Sequence, residues 1–267
     1  MKEFFAYFFG QGEVQEFTNF SLAHFIPLLF AATVIYLIIR FHKKLEGSKY
    51  DLTIRYILAF AMIVCEMSYF WRLVGVPSLG ANPVDHLPIT VCGWATVFGS
   101  YMLIGKSQTL FDITYFWVFA GTIFALITPT VIQFAGPTRY RYYQFWGEHL
   151  FGYFAIFYMI FVHKMRPTIK SMIKAMIALV ILAAVAFTAN TLIGGEANYL
   201  FMATTEDADS IVNILPSFFP LRLLIMASAV SALFFLSYLP WLIIDRKAKK
   251  KKEESPSQTE ALEESKA

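Results

Sequence analysis

Cys92 and His149 are the two side chains whose chemistry combines most directly in this sequence. A thiol of ordinary pKa is mostly protonated at neutral pH, and a neighbouring imidazole can take its proton to make the thiolate that attacks an ester. Glu66 or Glu148 would orient that imidazole or stabilise its charge. Such a set suits acyl transfer. His86, Thr90, Arg72, Thr128, Asn190 and Asn198 are the further polar residues placed to support the site or bind its substrate. Each also admits a plainer reading. A lone cysteine in an apolar run packs as a small hydrophobe, and an intramembrane histidine or carboxylate can serve only to bond a neighbouring helix. Glu66 and Arg72 stand six residues apart, a spacing that does not pair them on one helix face. Glu148 is adjacent to His149 and points elsewhere on the helix.

The elements that must position these residues are apolar helices. Of 267 residues, 57% are hydrophobic and 15% charged, with a mean hydropathy of +0.55, whereas a soluble domain carries about a quarter charged residues. The charges gather in short patches between long apolar runs, which match the hydrocarbon thickness at ~1.5 Å per helical residue. Seven spans are expected, at Phe20–Phe41, Ile54–Val74, Leu87–Ile104, Leu110–Thr128, Tyr142–Val162, Ile173–Ile193 and Leu215–Ile244. Pro88 is expected in the first turn of the third, Pro129 ends the fourth, and Pro216 and Pro220 interrupt the start of the last. The fold class is therefore all-α, a polytopic seven-transmembrane-helix bundle. It divides into a short extracellular segment (1–19), the membrane domain (20–244) and a Lys-rich, then Glu- and Ser-rich, disordered cytoplasmic tail (245–267).

Orientation follows from the basic residues. One side of the membrane receives 17 of the 22 Lys and Arg, including the tail, while the loop Gly194–Pro216 has none. This puts the N-terminus outside and the C-terminus in the cytoplasm. The net charge of +3 is a topology signal, not a nucleic-acid signal. Cys65 and Cys92 both lie within apolar runs and make no disulfide framework. No Walker loop, dinucleotide fingerprint or His-Glu-x-x-His helix is present, so neither a metal nor an organic cofactor is implied.

With that orientation the costly side chains share a level. Cys92 lies about 7–8 Å, His149 about 10 Å and Glu66 about 12 Å below the outer edge at the helical rise. Asn190, Thr128, His86, Glu148, His24, Arg72 and Arg222 fall on the same side, whereas the inner half reads as mainly Leu, Ile, Val, Phe and Ala. A pocket open to the outside is expected rather than a conduit through the full depth.

Several segments carry a family resemblance: Leu87-Pro88-Ile89-Thr90-Val91-Cys92, Tyr115-Phe116-Trp117 with Ala120-Gly121-Thr122, and Ala125-Leu126-Ile127-Thr128-Pro129. Phe145-x-x-x-His149 and Asn198-Tyr199-Leu200 complete the ordered set. The chain resembles the YwaF-type family of bacterial integral membrane proteins, related to eukaryotic transmembrane protein 164. The resemblance implies a membrane-embedded lipid acyltransferase, with membrane hydrolases of fatty-acid esters among more distant relatives. It assigns the nucleophile to Cys92 and its partner to His149. Where the family pattern carries a histidine two residues before the cysteine and an acid after it, this chain has Thr90 and Gly93.

The expected function is lipid acyl transfer or fatty-acyl ester hydrolysis in a cell membrane, bacterial plasma membrane by the resemblance, with membrane lipids or fatty-acyl esters as substrates. The alternative is a small-molecule transporter or binding protein using the same polar pocket. A seven-helix receptor is a third reading, resting on helix count and orientation alone.

Overall fold

The computed structural model describes residues 1–82, 86–129, 132–194, 197–202, 215–216 and 218–254, all in helices, turns or irregular segments. Nine α-helices stand among them: α1 (Lys2–Phe9), α2 (Leu22–Leu45), α3 (Asp51–Gly75), α4 (Val91–Gly105), α5 (Gln108–Gly121), α6 (Ile123–Ile127), α7 (Tyr140–Phe161), α8 (Ile169–Ile193) and α9 (Phe219–Glu254). Five of them are long and apolar enough to cross a membrane, counting α5 and α6 as one 20-residue span with α2, α3, α8 and α9. The apolar α4 is 15 residues long, and the 22-residue α7 carries the polar groups of the site. Large side chains such as Leu29, Phe60, Val180, Ile181 and Leu236 remain exposed on the long helices. Apolar surface at that density is stable facing lipid and not water. The protein is a multi-pass membrane protein.

Local chemistry sets the helix ends. Thr168 and Ser171 form a reciprocal capping box at the start of α8. Ser107 caps α5 through Leu110 N–H at 3.3 Å, so the fourth span starts at Gln108, ahead of its expected start at Leu110. It also breaks at Thr122, where α6 takes over. The third span starts later than expected, at Val91 and not Leu87. Pro88 biases Leu87 away from helical backbone, and Thr90 takes the capping position three residues on. The last helix runs to Glu254, ten residues beyond Ile244 and through the Lys cluster expected to be disordered. Cations are favourable at a helix C-terminus. Residues 255–267 lie outside the described part.

α5 is the central helix. Trp117 Nε1 donates to Ala175 O of α8 at 3.1 Å, Tyr115 Oη donates to Ser237 O of α9 at 2.7 Å, and Trp241 Nε1 donates back to Tyr115 Oη at 3.0 Å. Around it Met62, Phe116, Val118, Ala155 and Ile156 form a dry layer, each no more than 2% exposed. By chain position this layer separates the end that carries Cys92 from the opposite end.

That opposite end corrects the sequence reading of an apolar inner half. Asp51, Arg55, Asp112, Ser171 and Tyr158 are all buried there. Asp51 receives Arg55 Nε at 3.0 Å, Tyr158 Oη at 2.8 Å and His163 Nε2 at 2.7 Å. Arg55 Nη1 also donates to the Leu103 carbonyl and, at 3.1 Å, to that of Ile104, capping the last turn of α4. Asp112 receives Gln108 Nε2 and Ser171 Oγ at 2.7 Å each and Lys174 Nζ at 2.6 Å.

The N-terminal segment is docked at the Cys92 end. Arg72 Nε and Nη2 donate to the carbonyls of Phe9 and Gly10 at 2.6 and 3.0 Å. Arg139 Nη1 donates to Tyr7 O at 2.7 Å, and its Nε and Nη2 bind Glu16 at 3.0 and 2.8 Å. The Arg139 guanidinium holds the Glu16 carboxyl below the usual carboxylate range.

Candidate functional site

Cys92 is the second residue of α4. The approach to it is fixed by backbone bonds. Thr90 Oγ1 accepts from Gly93 N–H at 3.0 Å, and Trp94 N–H returns to Thr90 O at 3.1 Å. Leu87 N–H donates to Tyr199 Oη at 3.0 Å. Tyr199 is held in turn by Asn190, whose Oδ1 accepts its N–H at 2.8 Å and whose Nδ2 donates to its carbonyl at 3.0 Å. The far end of α8 thereby sets the height at which the Cys92 turn begins. Cys92 itself is half-buried beside Gly121 of α5, where an added Cβ would lie 3.7 Å from Sγ. No side-chain hydrogen bond occupies its sulfur among the described residues.

Glu66 of α3 reaches across to this same turn. It is 8% exposed, and a Cβ on Gly93 would come 2.6 Å from its Oε1. Glu66 thus fills the space beside Cys92 that a side chain at position 93 would take. Its Oε2 is buried without a hydrogen-bond partner. A side chain at 93 would have to displace the Glu66 carboxyl from this place.

α7 supplies the rest. Gln144 Nε2 donates to Glu148 Oε2 at 2.9 Å and to Cys65 O at 3.2 Å, while Cys65 Sγ donates to Gln144 O at 3.2 Å. Arg141 bonds Gln144 Oε1 and stands 3.9 Å from Glu148 Oε2. α3 and α7 come this close because residue 147 is glycine, where a Cβ would meet Cys65 Sγ at 2.8 Å. His149 is buried, with Nδ1 at 2.8 Å from Phe145 O and its ring 4.4 Å from that of Phe145. A carbonyl only accepts, so Nδ1 carries the hydrogen and Nε2 keeps its lone pair.

The residues expected at the site from sequence thus divide. Glu66 meets the Cys92 turn at Gly93, and Glu148 and His149 are neighbours on α7; among the described residues no hydrogen bond joins Cys92 to His149. Thr90 caps the cysteine turn and is itself exposed. Asn190 positions that turn through Tyr199, and Asn198 leads into the Tyr199–Phe201 turn. Arg72, Thr128 and His86 make contacts of their own. Arg72 is committed to the N-terminal segment by its bonds to Phe9 and Gly10. Thr128 is exposed and bonds its own helix at Phe124 O, 3.2 Å away. His86 is exposed, its Nδ1 3.4 Å from Tyr69 Oη. A cleft of about 300 Å³ at this end is lined by Phe9, Ser68, Trp71, Arg72 and Tyr140, with none of the cluster residues on its wall.

Gln144, Arg141, Cys65 and Tyr153 were not anticipated. The signal for the first two was present: 141, 144 and 148 fall on one helical face with Phe145. Tyr153 shares a 2.9 Å hydrogen bond with Thr122 and lies within electrostatic range of Cys92.

The profile of the TMEM164 family matches residues 19–238, from the start of α2 to the middle of α9. No curated protein and no solved structure matches the chain.

Proposed function

The chain belongs to the TMEM164 family, and on that premise we propose that it is a lipid acyltransferase or fatty-acyl ester hydrolase acting through Cys92 and His149. The carrying observation is the lone-pair nitrogen of His149. Its Nδ1 hydrogen is committed to Phe145 O at 2.8 Å, which prepares Nε2 as the base for a thiol on the adjoining helix α4. Hydrogen bonds in an unliganded site tighten when substrate arrives. Cys92 sits at a helix N-terminus, where a thiolate is favoured. The dry layer of Met62, Phe116, Val118, Ala155 and Ile156 behind the site favours a one-sided pocket over a transport path.

In this reading seven segments cross the membrane: α2, α3, α4, α5 with α6, α7, α8 and α9. α4 covers about 22 Å at the helical rise, and the non-helical Leu87–Thr90 lead-in makes up the remaining thickness. The basic imbalance sets the N-terminus and the Cys92 end outside and α9's Lys-rich end in the cytoplasm. The host is a cell membrane. The substrates are membrane lipids or fatty-acyl esters, whose chains already lie beside the site.

The test is an acid-quenched incubation of purified protein with a labelled fatty-acyl lipid. A hydroxylamine-sensitive label on wild type, absent from Cys92→Ala, is the expected result. Undiminished acyl transfer by folded Cys92→Ala removes the assignment.

A further inference from the structure

We infer that Glu66 is a neutral carboxylic acid that donates its Oε2 hydrogen to the carbonyl oxygen of the substrate ester. The inference rests on the acyl-transfer reading for its catalytic part and on the burial and pairing of the two carboxyls for the protonation state.

The geometry begins with an imbalance. Two carboxyl groups, Glu66 on α3 and Glu148 on α7, stand at this end, and among the described residues Arg141 is the cation beside Glu148. Glu148 is the partnered one, with Gln144 Nε2 at 2.9 Å and Arg141 Nη1 at 3.9 Å. Glu66 has neither, and its Oε2 is buried with no hydrogen-bond partner among the described residues. The other titratable groups in range are the thiols of Cys65 and Cys92, which bring no positive charge. Arg72 and Arg139, the next cations outward, are spent on Phe9, Gly10, Tyr7 and Glu16. An ionised, unpaired carboxylate away from water is far more costly than a protonated one. Glu66, buried and without a partner, therefore holds a proton.

A protonated Oε2 without an acceptor is a donor waiting for a ligand, and its position says which. The other oxygen of the same carboxyl, Oε1, lies over Gly93, the residue after Cys92. When a thiol attacks an ester, the developing oxyanion usually finds the N–H groups that follow the nucleophile. Here both are taken: Gly93 N–H by Thr90 Oγ1 at 3.0 Å and Trp94 N–H by Thr90 O at 3.1 Å. Glu66 replaces the missing donor, and a neutral acid in a dry site does so without repelling the oxyanion.

The step balances without further reagents. His149 Nε2 takes the Cys92 proton, sulfur bonds the acyl carbon, and the carbonyl π electrons move to an oxygen that accepts the Glu66 hydrogen bond. The C–O bond to the departing alcohol then breaks, and the imidazolium returns its proton to that alkoxide. A second hydroxyl, of an acceptor lipid or of water, reverses the sequence. Glu66 keeps its proton throughout.

Two measurements test this. The first is infrared absorption of the detergent-solubilised full chain at neutral pH, wild type against Glu66→Gln. A deuterium-sensitive protonated-carboxyl band present in wild type and lost in the variant is expected. Its absence overturns the inference, whether or not the protein is an enzyme. The second is acyl transfer, with Glu66→Gln compared to Glu66→Ala. The amide retains a donor, so Gln is expected within about 10-fold of wild type, and Ala is expected to lose about 10²–10³-fold, the effect of deleting one oxyanion donor. Equal losses in both variants overturn the donor role while leaving Cys92 in place. A Cys92→Ala variant that keeps full activity overturns the nucleophile while leaving the infrared result standing.

Discussion

The two ends of the bundle use the same kinds of residue in opposite ways. At one end every buried charge is enclosed by partners: Asp51 is bound by Arg55, Tyr158 and His163, with Lys106 at 3.9 Å. Asp112 is likewise filled by Gln108, Ser171 and Lys174. At the other end the polar cluster is left incomplete. Among the described residues Glu66 has an oxygen with no partner, Cys92 has a sulfur with no side-chain partner, and His149 bonds through Nδ1 alone. A satisfied buried network rigidifies, because removing any member strands another. An unsatisfied one in a folded protein marks groups held ready for a ligand. Burial alone does not separate staple from site; the state of the lone pairs and protons does.

The sharpest break in this comparison comes from Cys92→Ala. Acyl transfer is expected to fall by roughly 10³-fold or more, while thermal stability in detergent stays within about 1 kcal/mol because the sulfur makes no side-chain hydrogen bond. Asp51→Ala should do the reverse. It strands Arg55, which is 3% exposed, and is expected to lower unfolding stability by about 3–5 kcal/mol, the range for a broken buried pair. Activity per folded molecule is unchanged, since the dry layer lies between. A denaturation midpoint for Asp51→Ala equal to wild type would remove the staple from the comparison.

Much of this contrast was legible in sequence at one end and little at the other. Cys92, His149 and Glu66 stood out because each is a polar residue deep within an apolar run, and depth follows from counting residues. Asp51 and Arg55 lie at a helix boundary, where charges read as loop residues that set topology. Their i,i+4 spacing was available, but nothing local indicates that Tyr158 and His163, more than a hundred positions later, close over them. The contacts of Thr128 and Arg72 were not legible for a related reason. Counting gives height but not rotation, and Thr128 faces outward while Arg72 meets an N-terminal helix whose docking depends on tertiary contacts. The 86–90 lead-in was misread because Pro88 suits a first helical turn by propensity, yet Thr90 offers a side-chain cap that Pro88 does not.

Between staple and site stands Asn190, and its removal should have a mixed effect. Asn190→Ala deletes both hydrogen bonds to Tyr199, at about 1–3 kcal/mol if the Tyr199 backbone groups stay buried. Because Tyr199 also anchors Leu87 N–H, the Cys92 turn loosens and turnover drops, by about 10-fold for a modest misplacement. Stability and activity measured on the same preparation separate this from both parent cases. A variant that loses neither breaks the proposed link between α8 and the cysteine.

The smallest effect concerns Glu16, in the strap that lies over the site end. Its carboxyl is held below the ordinary carboxylate range, chiefly by the Arg139 hydrogen bonds, so ionised Glu16 stabilises the folded strap. The sign follows from the lowered folded-state value: the contribution is complete above the unfolded pKa and fades as pH falls through the folded one. At neutral pH the strap is therefore at full strength, and Glu16→Gln should weaken it by about 1 kcal/mol or less for a partly solvated pair. A fluorophore at Lys2 is expected to become more mobile on acidification in wild type, and to show that higher mobility already at neutral pH in Glu16→Gln. Acid mobilises the strap through a carboxyl outside the membrane-spanning helices, whereas the Asp51 staple is bound by Arg55, Tyr158 and His163 at once. A label near His163 that loosened over the same pH interval would make the two ends alike in their response to acid, and would confine their difference to the lone pairs around Cys92.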